Sequence, residues 1–252
     1  SQHDLNPELN AILALDLSIP EHPDLPEISH SLAESVLFGG KRLRPMVTFL
    51  AGRFFGLDAD AARPFARAAE LTHAATLCHD DVVDAAQLRR NRPTMNRLVG
   101  NARSVLAGDI LLSRVVREIV EEGNLEVLAH LAQTLEDLSA GEWLQLNYRH
   151  RVDASRSTLE RISYLKTGAL LGWCLATPAR VVGCSESDVA RAKRMGELVG
   201  LAFQMVDDTI DFDPQNEKAF AKDLREGMVN FVTLEVLESK PEMGGLIKEI
   251  WE

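Results

Sequence analysis

Basic charge is what the sequence is short of: 27 Lys and Arg stand against 38 Asp and Glu, a formal net charge of −11. Nucleic acids and anionic membrane surfaces recruit proteins through a basic field, so neither is expected as the main partner. Cysteine is scarce as well. Cys78, Cys174 and Cys184 are odd in number and lack CxxC or zinc-type spacing, which points away from a disulfide framework or structural zinc and towards a reducing cytoplasm. No uninterrupted apolar run reaches the length of a membrane span, and the N-terminus lacks the charged-then-apolar pattern of a signal peptide. Strand-length alternation and fixed-period repeats are also missing. What remains is a 252-residue chain, 46% hydrophobic. That is enough for a sizeable core, expected to be one all-α domain over 1–252.

Helical spacing recurs in order along the chain. Asn6 before Pro7 and Glu8 suits a helix start, and a proline-rich link with Pro20, Pro23 and Pro26 follows. Apolar periodicity then predicts helices over 27–38, 46–55 (opened by Pro45), 64–86, 103–122, 125–149, 158–182 and 186–212. Gly39 and Gly40 read first as a helix stop.

Two of these helices end in acid. The first carries HAATLCHDDVVD, closing on Asp80, Asp81 and Asp84 with no basic residue between them. At about 100° per helical residue, Asp80 and Asp84 lie roughly 40° apart on one face, with Asp81 on the flank and His73 on nearly the same stripe. Like charges at that spacing cost a few tenths of a kcal/mol, and a buried unpaired carboxylate costs far more, so a counter-charge from elsewhere is implied. The second helix carries GLAFQMVDDTIDF, where Asp207, Asp208 and Asp211 repeat the spacing and Gln204 precedes them by one turn. One acidic helix end is explained by solvent. Two of identical spacing, each on a helix otherwise fit for a core, point to divalent metal. Mg²⁺ keeps waters and takes few carboxylates plus substrate phosphates, so the two motifs read as a divided site.

The cations are gathered in turns. Lys41, Arg42 and Arg44 follow the glycine pair, and Arg89, Arg90 and Arg92 follow the first acidic motif. Helix-dipole complementation and a solvated charge run are the plain explanations. The chemical one is a diphosphate clamp of Arg forks and a Lys point charge on a backbone that glycine lets come close. Lys166, beside Thr167 in the nearly apolar YLKTGALLGWCLA, must either reach the surface or be paired. Trp143 in GEWLQL reads as core.

The landmarks GGKRLRP, HAATLCHDDVVD, LRRNRPT, VLAGDILLSR, YLKTG, GLAFQMVDDTID and DLREG come in the order of the trans-type isoprenyl diphosphate synthases, the polyprenyl synthetase family, which the chain resembles across most of its length. The resemblance implies a single helical bundle around a deep central cavity, working as a homodimer. It implies ionisation of an allylic diphosphate, attack on the cation by isopentenyl diphosphate, and proton loss. In that pattern Asp80 and Asp84 match positions binding two Mg²⁺ ions and Asp207 one helping to bind a third, with Asp81, Asp208 and Asp211 as supporting ligands or second shell. Arg89, Lys166 and Lys218 match positions holding the allylic diphosphate. Lys41, Arg44, His73 and Arg90 match those holding isopentenyl diphosphate. Thr167 and Gln204 match polar residues near the reacting carbons.

In this family bulky aromatics four or five positions before the first aspartate stop growth at farnesyl length. Those positions are Thr76 and Ala75, both small, so a hexaprenyl to octaprenyl product from a farnesyl or geranylgeranyl starter is expected, unless Trp143 or another large side chain forms the floor. The chain departs from the pattern in three places. Asn91 stands where glycine is usual. Met228 and Asn230 replace the lysine and threonine that follow DLxEG, a missing charge for which Lys222 or Arg225 could compensate. The last family helices are expected to be absent or cut short. These departures keep open a catalytically weak subunit of a heteromeric synthase, and a terpene cyclase, against which Lys41, Arg44 and Arg90 argue.

Overall fold

The computed structural model describes residues 6–20, 23–213 and 220–251. In order these form α1 (Asn6–Leu13), α2 (Pro26–Glu34), α3 (Leu43–Phe55), α4 (Ala59–Val83), α5 (Met95–Val99), α6 (Asn101–Glu121), α7 (Leu125–Asn147), α8 (Arg156–Ser163), α9 (Ala169–Val181), α10 (Glu186–Asp211), α11 (Lys222–Arg225), α12 (Phe231–Ser239) and α13 (Met243–Trp251). The fold is all-α, as expected. Among the described residues the one strand pairing is a ribbon of Leu88–Arg89 against Arg92–Pro93. The chain forms two compact units, one taking in the chain up to Ala129 together with Thr177–Val189, the other His130–Ala176 and the chain from Ala190.

In the first unit α4 packs against α3 and α6. It starts at Ala59, where the Asp58 carboxylate accepts the Ala61 amide at 2.9 Å, and not at Pro64 as expected. Within the second turn Pro64 removes a single backbone bond, which the cap outweighs. The buried residues of α4 include Ala62, Ala66, Ala68, Ala69, Ala74 and Ala75. With so little side chain the neighbouring helices come close. Ser104 donates to the Cys78 carbonyl at 2.8 Å, and any side chain at Gly108 would collide with the His79 ring. Towards the start of α4, Ala62 and Ala66 join Ala11 and Phe49 in one apolar cluster.

The acidic end of α4 comes three residues before the expected Ala86, because Asp84 caps it and Ala85 turns left-handed (φ 48°). The ribbon that follows is joined by Arg90 and Asn91, both left-handed (φ 51° and 60°). Asparagine tolerates that conformation better than other side chains with a Cβ, which accounts for its standing in a glycine's place. α5 went unread in the sequence, and α3 opens at Leu43, two residues before Pro45.

In the second unit, the helix expected over 158–182 begins at Arg156, capped by Ser155, and is interrupted by a π-helical turn over Tyr164–Gly168. From the last residue of that turn into α9, the backbone meets that of α10 directly. A Cβ on Gly200 would lie 2.5 Å from the Gly168 Cα, and one on Gly196 would lie 2.7 Å from the Gly172 Cα. The glycines four apart on each side let the helices approach more closely than alanine would permit. Helices α11 to α13 also went unread; Phe231 and Leu234 of α12 form a core with Val229, Ala154 and, from α8, Leu159, against which Trp251 of α13 packs. Asn230 opens α12 with a capping box, accepting the Thr233 amide at 3.0 Å.

One expectation fails here. Trp143 is not core: it is 72% exposed, and at that exposure it does not floor a cavity within this chain. Gly141, two residues earlier, faces Leu165 and Lys166 closely. Two helical steps of about 100° turn Trp143 to the far side.

Candidate active site

The last turn of α4 divides its three acids. Asp80 and Asp84 are partly exposed, whereas Asp81 is 1% exposed. Arg89, delivered by the ribbon, takes Asp81 Oδ1 in a fork, Nη2 at 2.8 Å and Nε at 3.2 Å. Asn96 Nδ2 donates to the Asp81 carbonyl at 3.1 Å, so α5 also anchors this turn. The other carboxylate oxygen of Asp81, Oδ2, is buried and makes no hydrogen bond. Burial, with Asp81 next in importance, pushes the nearby Cys78 thiol up to about 12. Below the acids, His73 and Thr76 share the Asp80 stripe and are partly exposed, Thr76 Oγ1 donating to the His73 carbonyl at 2.9 Å, while Ala75 is fully enclosed.

The basic turns converge in the same unit. Arg90 Nη1 donates to the Phe38 carbonyl at 2.7 Å, and its guanidinium passes so close to Gly40 that a Cβ there would sit 2.9 Å from Nη2. Gly40 is therefore a close-approach glycine as well as a turn glycine (φ 88°). Arg42 is committed elsewhere, to Glu70 Oε1 and the Leu37 carbonyl, each at 2.6 Å. Lys41 is exposed and Arg44 partly so. The field of this cluster shows at His73. Burial first, then Arg44, Arg89, Arg90 and Arg42, hold its imidazole well below the usual histidine value. Burial, then Arg89 and Arg42, also lower the pKa of Arg90. Cations so arranged repel one another, and an anion relieves that repulsion.

In the second unit the π-helical turn presents Lys166 and Thr167. Lys166 is paired: Nζ lies 2.5 Å from Glu142 Oε2 and donates to Gln145 Oε1 at 2.9 Å. Thr167 Oγ1 donates to Gln204 Oε1 at 3.3 Å, and Gln204 Nε2 donates to Asp208 Oδ1 at 2.9 Å. The second motif divides its acids as the first does. Asp207 is partly exposed, whereas Asp208 and Asp211 are buried and hold backbone. Asp208 Oδ2 accepts the Phe231 amide at 2.9 Å, and Asp211 accepts the amides of Lys222 and Asp223 at 3.1 and 3.2 Å. Burial raises Asp208 to about 6 against those hydrogen bonds, with Asp223 and Asp207 adding repulsion. Asn230, in the family threonine's position, donates to Asp223 Oδ2 at 3.1 Å. Lys222 pairs with Glu226 at 3.3 Å and Arg225 donates to the Phe220 carbonyl, so each has a neighbour of its own. Lys218 lies outside the described residues.

The donor set suits magnesium. It consists of hard carboxylate oxygens, one of them, Asp81 Oδ2, buried with no hydrogen bond, and another, on Asp208, whose charged form burial and the neighbouring acids disfavour until a cation is present. Among the described residues no three His, Cys, Asp or Glu side chains form a ready-made cage, and Mg²⁺ is normally bound by one or two carboxylates with waters and phosphate.

Reading the sequence missed Glu70, Glu142 and Gln145, which hold Arg42 and Lys166. The signal was available for Glu70: a lone acid in ARAAELTHAA is as anomalous as the lone lysine in YLKTG.

The model of the polyprenyl synthetase family matches residues 26–252. An octaprenyl diphosphate synthase of Escherichia coli is 34% identical over 214 residues, covering 83% of this chain and 66% of that protein. Component 2 of a heptaprenyl diphosphate synthase of Geobacillus stearothermophilus is 36% identical over 80% of this chain and 64% of its own length. The chain thus spans about two thirds of these relatives. Among solved structures, a decaprenyl diphosphate synthase of Rhodobacter capsulatus superposes with a TM-score of 0.88 at 32% identity, over 98% of this chain and 77% of that one. The carboxylate pairs, the arginine turns and the π-turn lysine sit in a chain that belongs to the polyprenyl synthetase family.

Proposed function

We propose that the protein is a magnesium-dependent prenyltransferase that extends an allylic diphosphate with isopentenyl diphosphate to hexaprenyl to octaprenyl length, as a cytoplasmic homodimer. The observation that carries this reading is the parallel division of the two motifs. In each, some acids stay accessible for metal (Asp80 and Asp84; Asp207) while their neighbours are tied into the fold (Asp81; Asp208 and Asp211).

Asp80 and Asp84 would hold two Mg²⁺ ions and Asp207 would help hold a third. When bound, the metal supplies positive charge to the departing diphosphate. The chain's own residues do the rest. Arg89, Lys166 and Lys218 grip the allylic diphosphate, and Lys41, Arg44, His73 and Arg90 grip isopentenyl diphosphate, with His73 accepting or donating as a neutral imidazole. Asp81, Asp208 and Asp211 keep the accessible acids in place. The allylic C–O bond breaks, the oxygen dipoles of Thr167 and Gln204 steady the cation, and the isopentenyl double bond forms the new C–C bond. The proton then lost goes to the released diphosphate, so no protein base is required. The small Thr76, partly exposed on the Asp80 stripe, leaves room for a long product, whereas the equally small Ala75 is packed into the fold.

The test incubates the protein with farnesyl diphosphate, labelled isopentenyl diphosphate and Mg²⁺, with and without chelator, and sizes the dephosphorylated products. Chains of 30 to 40 carbons that vanish with chelator are expected. Products confined to farnesyl or geranylgeranyl would overturn the chain-length part. The similarity to a protein named as one component of a synthase favours a second reading, a subunit that needs a partner. Turnover by this chain alone rejects it.

A further inference from the structure

The glycine turn ahead of α3 is left-handed at Gly39 (φ 63°), Gly40 (φ 88°) and Arg42 (φ 49°). For the two glycines that conformation has no steric cost, but Arg42 carries a Cβ, for which it does. Its own side chain holds it there. Nη1 donates to Glu70 Oε1 and Nη2 to the Leu37 carbonyl, each at 2.6 Å, while the Arg42 carbonyl accepts the Met46 amide at 3.0 Å in the first turn of α3. One residue thus ties together the start of the glycine turn, the start of α3 and the buried Glu70 of α4. The ribbon holds the same turn from its other side, with Arg90 on the Phe38 carbonyl and Arg92 over the Phe38 ring, 3.5 Å from its centroid. The Glu70 charge also offsets the repulsion that Arg89 and Arg42 exert on Arg90.

We infer that Arg42 and Glu70 are positioning residues for isopentenyl diphosphate: the pair locks the strained end of the glycine turn, and the locked turn sets Lys41 before it and Arg44 after it. The inference rests on the proposed role of Lys41 and Arg44 in holding that diphosphate. It divides the cations of GGKRLRP by task. Arg42 is spent on an acid and a carbonyl inside the fold, while Lys41 is exposed and Arg44 partly so. A strained backbone persists only where its surroundings over-determine it. Glycine at position 42 would relieve the strain and lose the lock. Lysine could pair with Glu70 but has no second group, in a fixed fork, for the Leu37 carbonyl.

The test is titration calorimetry of the full chain with isopentenyl diphosphate and, separately, with farnesyl diphosphate and Mg²⁺, thermal midpoints confirming that each variant folds. Glu70→Gln leaves every cation in place and releases Arg42. It is expected to raise Kd for isopentenyl diphosphate about threefold while Kd for farnesyl diphosphate stays within about 1.5-fold. Arg42→Lys keeps the buried acid paired, so it reads the same lock without stranding a charge, and should also lose about threefold. The double variant Arg42→Gly with Glu70→Gln, free of both strain and stranded charge, should lose about tenfold. Charge alone predicts the opposite sign, because removing an acid from among cations tightens the binding of an anion. Tighter or unchanged isopentenyl diphosphate binding in Glu70→Gln therefore overturns the inference, and so does an equal loss for both diphosphates, as a merely structural pair would give. Arg44→Ala separates the two levels of argument. If it weakens isopentenyl diphosphate while the Arg42 and Glu70 variants do not, the positioning role fails alone. If Arg44→Ala binds as tightly as the parent, the proposed role of the turn fails and the positioning with it.

Discussion

Arg89 reaches back from the ribbon to a carboxylate that has almost no contact with solvent, placing two guanidinium nitrogens 2.8 and 3.2 Å from Asp81 Oδ1. One residue earlier Asp80 is partly exposed. Removing the arginine leaves a buried charge without its partner. Arg89→Ala is expected to lower stability by about 3 kcal/mol in urea unfolding, because breaking one side of a buried pair costs more than the pair itself contributes. Asp81→Asn, which removes the stranded charge, should recover part of that loss in the double variant.

The accessible acids should behave in the opposite way. Asp80→Ala and Asp207→Ala are expected to reduce turnover by at least about 10³-fold while circular dichroism and the thermal midpoint stay near those of the parent, since neither is buried. Near-normal rates in either variant would refute the proposed metal site.

His73 supplies a pH dependence. Its folded pKa is depressed by burial and by the arginines around it, so its stabilising contribution is present above the unfolded value near 6.5 and is lost as pH falls below it. Between pH 7 and 5 the thermal midpoint of the free protein should drop more steeply than that of His73→Gln, at up to about 1.4 kcal/mol per pH unit. Added inorganic diphosphate, by neutralising the arginines, should flatten the difference. Parallel curves with and without the imidazole would remove His73 from the argument.

Product length separates Thr76 from Ala75. Thr76 lies on the Asp80 stripe and is partly exposed, whereas Ala75 is fully enclosed. Thr76→Phe is expected to shift products towards 15 and 20 carbons with little change in stability. Ala75→Phe must displace packed neighbours and should cost about 1–3 kcal/mol as well. Unchanged product lengths in Thr76→Phe would locate the limit elsewhere.

The contact of α10 with the π-helical turn admits no side chain at Gly200, whose Cβ would meet the backbone of Gly168 and Thr167. Gly200→Ala should destabilise by about 2 kcal/mol or more in thermal unfolding and lower turnover, because the crossing that brings Thr167 to Gln204 must open. A midpoint within a degree of the parent would contradict that packing.

Much of this was legible in the residues. The acids, the arginine turns and the isolated lysine each break the apolar period of a helix, and such a break shows in sequence because it is costly. What sequence hid was of two kinds. Hydrogen bonds between groups far apart in the chain, such as Gln145 with Met228 or Asp208 with the Phe231 amide, leave no local periodicity. The π-helical turn over Tyr164–Gly168 keeps the apolar pattern of the helix it interrupts. Trp143 misled because large aromatics are buried on average, and only the neighbouring glycine contact shows which side of α7 faces inward.

Asp208 and Asp211 hold the first turns of α12 and α11 by their backbone amides, which alters how an alanine scan of this motif should be scored. The three aspartates are not replicates. A dead Asp207→Ala enzyme reports on chemistry, whereas a dead Asp208→Ala or Asp211→Ala enzyme reports first on whether a loop and two helices are still docked. Mutational tolerance at the last two positions should therefore track the sequence of residues 220–233 and be independent of which substrate is turned over.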